Sequence, residues 1–136
     1  MENFDNSELP LVKEPTTSQS ESIRTIIGKY EDGEVYIPDY QRDCDQWDEA
    51  KKSLFIESIL NNLTIPAFFF CRDEEYNDEV IDGQQRLTTI LQFAQDKFEV
   101  SKDESINYLL PNAVQYRGKR FSDLDKTLKK HSITIH

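Results

Sequence analysis

The sequence predicts an α+β domain, and two observations lead there. Apolar residues recur at helical spacing in separate runs, and the segments between them are short, apolar and bounded by Gly, Pro or Asp. At Val80-Ile81-Asp82-Gly83-Gln84-Gln85-Arg86 a strand end passes through Asp-Gly directly into a helix-period run, Leu87, Ile90, Leu91, Ala94 and Phe98. The 136 residues suit one domain. A chain of this size buries roughly two-thirds of its unfolded surface, enough for a sizeable core.

Taken in order, residues 1–20 are polar, with Pro10, Pro15 and a Thr-Thr-Ser-Gln-Ser run, and read as a flexible arm ahead of a domain over residues 21–136. Ile23, Ile26, Ile27 and Tyr30 predict a short helix from Ser22 to Tyr30, turned off at Glu31-Asp32-Gly33. Val35-Tyr36-Ile37 is a short strand that stops at Pro38, which has no N–H for a ladder. A polar loop runs on to Trp47. Asp48 then suits an N-cap, with Glu49 in the first turn, for a helix from Ala50 to Leu63 whose apolar face is Phe55, Ile56, Ile59, Leu60 and Leu63. Ile65-Pro66 forces an extended exit. The run Ala67-Phe68-Phe69-Phe70-Cys71 predicts a strand buried on both faces.

After a charged turn over Asp73 to Asp78, Glu79 to Ile81 is the strand that delivers the Asp82-Gly83 junction, and Gln84 to Lys97 is the helix beyond it. Gln115 to Phe121 reads as a strand turned by Gly118. Ser122 suits an N-cap for a helix from Asp123 to Lys130, and Ser132 to Ile135 reads as a final strand. A chain that stops inside a strand is expected to be a fragment of a longer protein.

Composition excludes some classes. With 37% hydrophobic and 31% charged residues, no apolar run of membrane-spanning length and an acidic N-terminus, a cytoplasmic protein without membrane contact is expected. Cys44 and Cys71 lie far apart and outside any CxxC pattern, which speaks against disulfide or zinc roles. A net charge of -10 and a pI near 4.6 argue against a surface that is nucleic-acid footprint throughout. Residues 72–79 are largely acidic. Arg117, Lys119, Arg120, Lys126, Lys129 and Lys130 make the C-terminal part locally basic, which reads as a solvated face, with a nucleic-acid contact as the rival reading.

The junction carries the chemistry. The first turn of a helix offers backbone N–H groups without intrahelical partners and the positive end of the helix dipole, a natural phosphate site. Gly83 permits close approach, Arg86 can fork onto two anionic oxygens, and Gln84 and Gln85 supply donors and acceptors. The rival reading is a capping box between Asp82 and Gln85, which requires no ligand. Thr88 and Thr89 could add a hydroxyl, though helix-surface threonine is the simpler account. Trp47 reads as a packing anchor rather than a base-stacking platform.

Pro38-x-Tyr40-Gln41-Arg42…Trp47, followed after a helix by Ile81-Asp82-Gly83-Gln84-Gln85-Arg86-Leu87-Thr88, resembles the N-terminal domain of GmrSD-type restriction systems, the DGQQR-motif domain with a ParB/sulfiredoxin-like fold. The likeness covers roughly residues 20–136. It implies a small mixed sheet with flanking helices and nucleotide phosphates held at a helix N-terminus. It further implies NTP binding and hydrolysis serving defence against modified phage DNA, with DNA cleavage in a C-terminal HNH-type domain. This chain has only His131 and His136, so no HNH nuclease activity is expected of it.

Carried onto this sequence, the resemblance makes Asp82, Gln84, Gln85 and Arg86 the catalytic candidates. Gln41, Arg42, Gly83, Gln84, Arg86 and Thr88 become nucleotide contacts, with Arg42 a second phosphate clamp across the cleft. Asp82 is the candidate ligand for Mg²⁺. The nucleotide is ATP, GTP or CTP. DNA is contacted through the full-length protein, and a homo-oligomer is left open. No Walker A pattern is present, so a P-loop ATPase is excluded. The rival functions are a non-catalytic nucleotide or DNA sensor, a plain protein-interaction domain and, more weakly, a direct ParB-like nuclease.

Overall fold

A computed structural model describes residues 18–38, 47–128 and 132–136. The chain order is β1 (Gln19–Ser22), α1 (Ile23–Glu31), β2 (Val35–Tyr36), α2 (Glu49–Leu60), β3 (Phe69–Arg72), β4 (Asp78–Asp82), α3 (Gln84–Ala94), a 3₁₀ segment (Pro111–Tyr116), α4 (Phe121–Leu128) and β5 (Ser132–Ile135). The architecture is α+β, as expected. Residues 19 and 20, expected in the arm, belong to β1, and residues 1–17 lie outside the described residues.

The sheet is mixed. In the order β2-β4-β3, β2 runs parallel to β4, pairing Val35 with Asp78, whereas β3 runs antiparallel to it, pairing Phe70 with Val80. β1 and β5 form a second, antiparallel pair. The two ladders meet where Phe68 bridges Ile135 in parallel, with the His136 N–H donating to the Phe68 carbonyl at 2.7 Å.

The helices form where caps and apolar stripes agree. Ser22 caps α1 by accepting from the Thr25 N–H, and Asp48 caps α2 by accepting from the Lys51 N–H. Ile23 and Ile26, then Phe55, Ile56, Ile59 and Leu60, then Leu87, Ile90, Leu91 and Phe93 converge with Phe68 and Val80 in one core. α2 ends at Leu60, so Leu63 falls outside the helix and is partly exposed. α3 ends at Ala94, three residues short of Lys97, because Asp96 turns the chain at positive φ.

Three expectations are corrected. β3 is not buried on both faces: Phe68, just before it, is fully buried, but Phe69 and Cys71 point outward from the β3–β4 ladder. Gln115 to Phe121 is not a strand; Pro111 starts a 3₁₀ turn there, and Gly118, at positive φ, donates its N–H to the Val100 carbonyl. α4 begins at Phe121, so Ser122 is inside it, and Asp123 reaches back to the Arg120 N–H at 2.9 Å. Lys129 and Lys130 lie outside the described residues.

Glu57 is fully buried on α2. Its two carboxylate oxygens accept the Leu109 and Leu110 N–H groups, both at 2.8 Å, and Asn61 donates to the same carboxylate at 3.4 Å. A buried charge without such donors is strongly unfavourable. Glu57→Ala strands both N–H groups and is expected to cost about 3 kcal/mol, whereas Glu57→Gln keeps one acceptor and loses less. Urea unfolding midpoints of the two variants measure this difference.

Candidate functional site

The site is built where β4 hands over to α3. Partner residues step from Asp82 opposite Phe69 to Val80 opposite Phe70, so Ile81 is an extra, bulged residue. Strict alternation would put Asp82 on the same buried face as Val80. The bulge breaks that alternation: Val80 is fully buried, Ile81 is 53% exposed, and the Asp82 side chain is 67% exposed.

Gly83 follows as the N-cap of α3 with φ +93°, and it makes no side-chain cap hydrogen bond. The capping box between Asp82 and Gln85 is therefore corrected. The cap residue is a glycine, which has no side chain to accept from the first turn. A Cβ at this position would lie 2.5 Å from Cδ1 of Phe68, so the ring of Phe68 requires glycine as much as the backbone does.

Arg86 lies one turn along. Its guanidinium stacks on the Phe68 ring at 4.6 Å and donates to the carbonyls of Pro66 and, at 3.3 Å, Ala67. Asp82 is 3.9 Å away. Burial pulls the Arg86 pKa below the ordinary guanidinium value, and the Asp82 charge pushes partly the other way. Gln84 folds back, donating Nε2 to the Val80 carbonyl at 3.0 Å, which leaves its Oε1 as an acceptor. Gln85 is half-buried, and its carbonyl accepts the Thr89 hydroxyl at 2.8 Å. Thr89 is thereby spent inside the helix, and Thr88 is half-buried on it.

Asp82, Gly83, Gln84, Gln85 and Arg86 line one cleft of about 310 Å³ together with Trp47 and Ile81, whereas Thr88 and Thr89 do not line it. Trp47 packs edge-on against Phe55, with ring centroids 5.5 Å apart, so it is an anchor as expected and a cleft wall as well. Ile81 was not legible as a cleft residue, because the bulge that turns the junction outward depends on its pairing with β3. Gln41 and Arg42 lie outside the described residues. Among the described residues no group of three His, Cys, Asp or Glu could hold a metal ion. A second hollow of about 340 Å³, lined by Glu49, Lys52, Phe98, Glu99 and Arg120, mixes both signs of charge, and Arg120 is engaged by the Asp96 carbonyl. Arg117 is likewise engaged, by the carbonyls of Lys102, Asp103 and Ile106, so two of the clustered basic residues are tied to backbone.

The sequence pattern described as "GmrSD restriction endonuclease, N-terminal domain" matches residues 23–135. The chain belongs to this family. The match runs from α1 through β5 and takes in the whole junction cleft. It makes the chain part of a restriction-type defence protein. No curated protein and no solved structure matches the chain. The ParB/sulfiredoxin-like assignment of this GmrSD N-terminal domain therefore rests on the motif resemblance. No helix among the described residues is long and apolar enough to cross a membrane.

Proposed function

We propose that this GmrSD N-terminal domain binds a nucleoside triphosphate (ATP, GTP or CTP) with Mg²⁺ in the junction cleft and hydrolyses it. In the full-length protein this would control DNA restriction by a C-terminal nuclease domain. The observation that carries the reading is the start of α3, where the glycine cap supplies no side-chain acceptor and the first turn lines a cleft beside an outward-turned Asp82 and a fixed Arg86. In open α/β sheets ligands bind outside the carboxyl ends of the strands, and the junction lies at the carboxyl end of β4.

Backbone N–H groups of the first turn would receive phosphate oxygens, and Arg86 would face them with its remaining donors. Asp82 suits Mg²⁺, which takes one or two carboxylates and fills its other positions with water and phosphate oxygens. Bound there, the ion would neutralise phosphate charge. With its Nε2 tied to the Val80 carbonyl, Gln84 would offer its Oε1 to accept from a water molecule. Asp82→Asn is expected to lower phosphate release at least ~100-fold while stability stays within about 0.5 kcal/mol, because the side chain is exposed. A colorimetric phosphate assay with a parallel thermal melt checks both.

A second reading is supported by the same hydrogen bonds. With Gln84 tied to Val80 and Arg86 to two carbonyls, the cleft could hold a nucleotide as a sensor without turning it over. Tight binding without phosphate release would select it. A plain interaction domain, with Gly83 as an ordinary helix cap, predicts no nucleotide binding and tolerance of Arg86→Ala in binding assays.

A further inference from the structure

We propose that Trp47 and Ile81 form a nucleobase subsite, so that the base stacks on the indole while its phosphates lie on the first turn of α3. The proposal rests on the nucleotide reading above and adds to it the part of the ligand that phosphate chemistry leaves unassigned.

The cleft is divided by chemistry. Its polar residues, Asp82 and Gln84 to Arg86, cluster at the helix end, and its two large apolar residues, Trp47 and Ile81, make the remaining wall. An amphipathic cleft fits an amphipathic ligand, charged at one end and aromatic at the other. Trp47 is pre-organised for stacking: it is half-buried, and its edge-on contact with Phe55 at 5.5 Å fixes the ring before any ligand arrives. Lys51 holds its ammonium over the indole, 5.9 Å from its centroid, a cation beside this wall in a chain of net charge -10. Ile81 alternates to the face opposite the buried Val80 and carries 53% of its surface in solvent, and a base lying against it would cover that surface. Stacking of this kind tolerates any base, since every base has a π-face.

Trp47 is the only tryptophan in the chain, so its fluorescence reports on this wall alone. The experiment titrates the whole chain with Mg²⁺-ATP and, separately, with Mg²⁺-tripolyphosphate, following indole emission and heat together. ATP is expected to quench the emission and tripolyphosphate to bind without quenching. Trp47→Leu should weaken ATP about tenfold and leave tripolyphosphate unchanged, and Trp47→Phe should restore most of the ATP affinity. Ile81→Ser, at an exposed position, should weaken ATP selectively even if Trp47→Leu fails to fold. ATP binding without quenching, with unchanged affinity in Ile81→Ser and in a folded Trp47→Leu, overturns the subsite and leaves the phosphate site standing. Equal quenching by both ligands also counts against it. No binding of either ligand by the folded wild type removes the subsite and the nucleotide reading together.

Discussion

Replacing Arg86 with alanine is expected to cost the domain about 3 kcal/mol and to abolish nucleotide binding in the same stroke. The guanidinium holds the first turn of α3 to the segment entering β3, through the Pro66 and Ala67 carbonyls, and its plane covers Phe68. Hydrogen bonds to a charged group are worth roughly 1.5–3 kcal/mol each and a stacked cation about 1 kcal/mol more, less whatever relaxation recovers. The Arg86 side chain is only 14% exposed, so solvent screening removes little of this. Arg86→Ala alone therefore cannot separate a structural role from a ligand role. Arg86→Lys keeps the charge but not the fork. It should recover part of the stability, read as a urea midpoint, while nucleotide affinity stays at least tenfold down.

Gly83→Ala is expected to lower the melting temperature by about 10 °C. A side chain at φ +93° costs roughly 1 kcal/mol, and an added Cβ 2.5 Å from the Phe68 ring forces a shift worth about 1–3 kcal/mol more. At this chain length each kcal/mol corresponds to roughly 4 °C. Because the clash is with one ring, the effect should be coupled to it: in a Phe68→Leu background Gly83→Ala should cost visibly less than in the wild type. Additive losses in that double-mutant cycle would show that backbone conformation alone requires the glycine. The variant should also lose nucleotide binding, since the helix start that lines the cleft must move.

Much of this was legible in the sequence, for local reasons. Asp48 and Ser22 announce their helices through caps, the stripes Phe55–Leu60 and Leu87–Leu91 have the helical period, and Asp82-Gly83 marks the strand-to-helix junction. What the sequence could not supply depends on partners distant along the chain. The apolar run Ala67 to Cys71 looked buried on both faces, yet only Phe68 is fully covered. The bulge at Ile81 exists only against β3, and Asp82 faces the cleft because of it. Arg86 looked like a free clamp, but its carbonyl partners lie 19 and 20 residues upstream. Glu57 sits beside Ile56 on an apolar helix face, and nothing local shows that it reaches two N–H groups more than 50 residues away.

The most direct test of the central claim is calorimetric titration of the wild type with ATP, GTP and CTP in the presence of Mg²⁺, beside Arg86→Lys shown to be folded by circular dichroism. The junction-cleft account predicts binding by the wild type and at least tenfold weaker binding by the variant. A folded wild type that takes up none of the three nucleotides, or a variant that binds them as tightly, would contradict it.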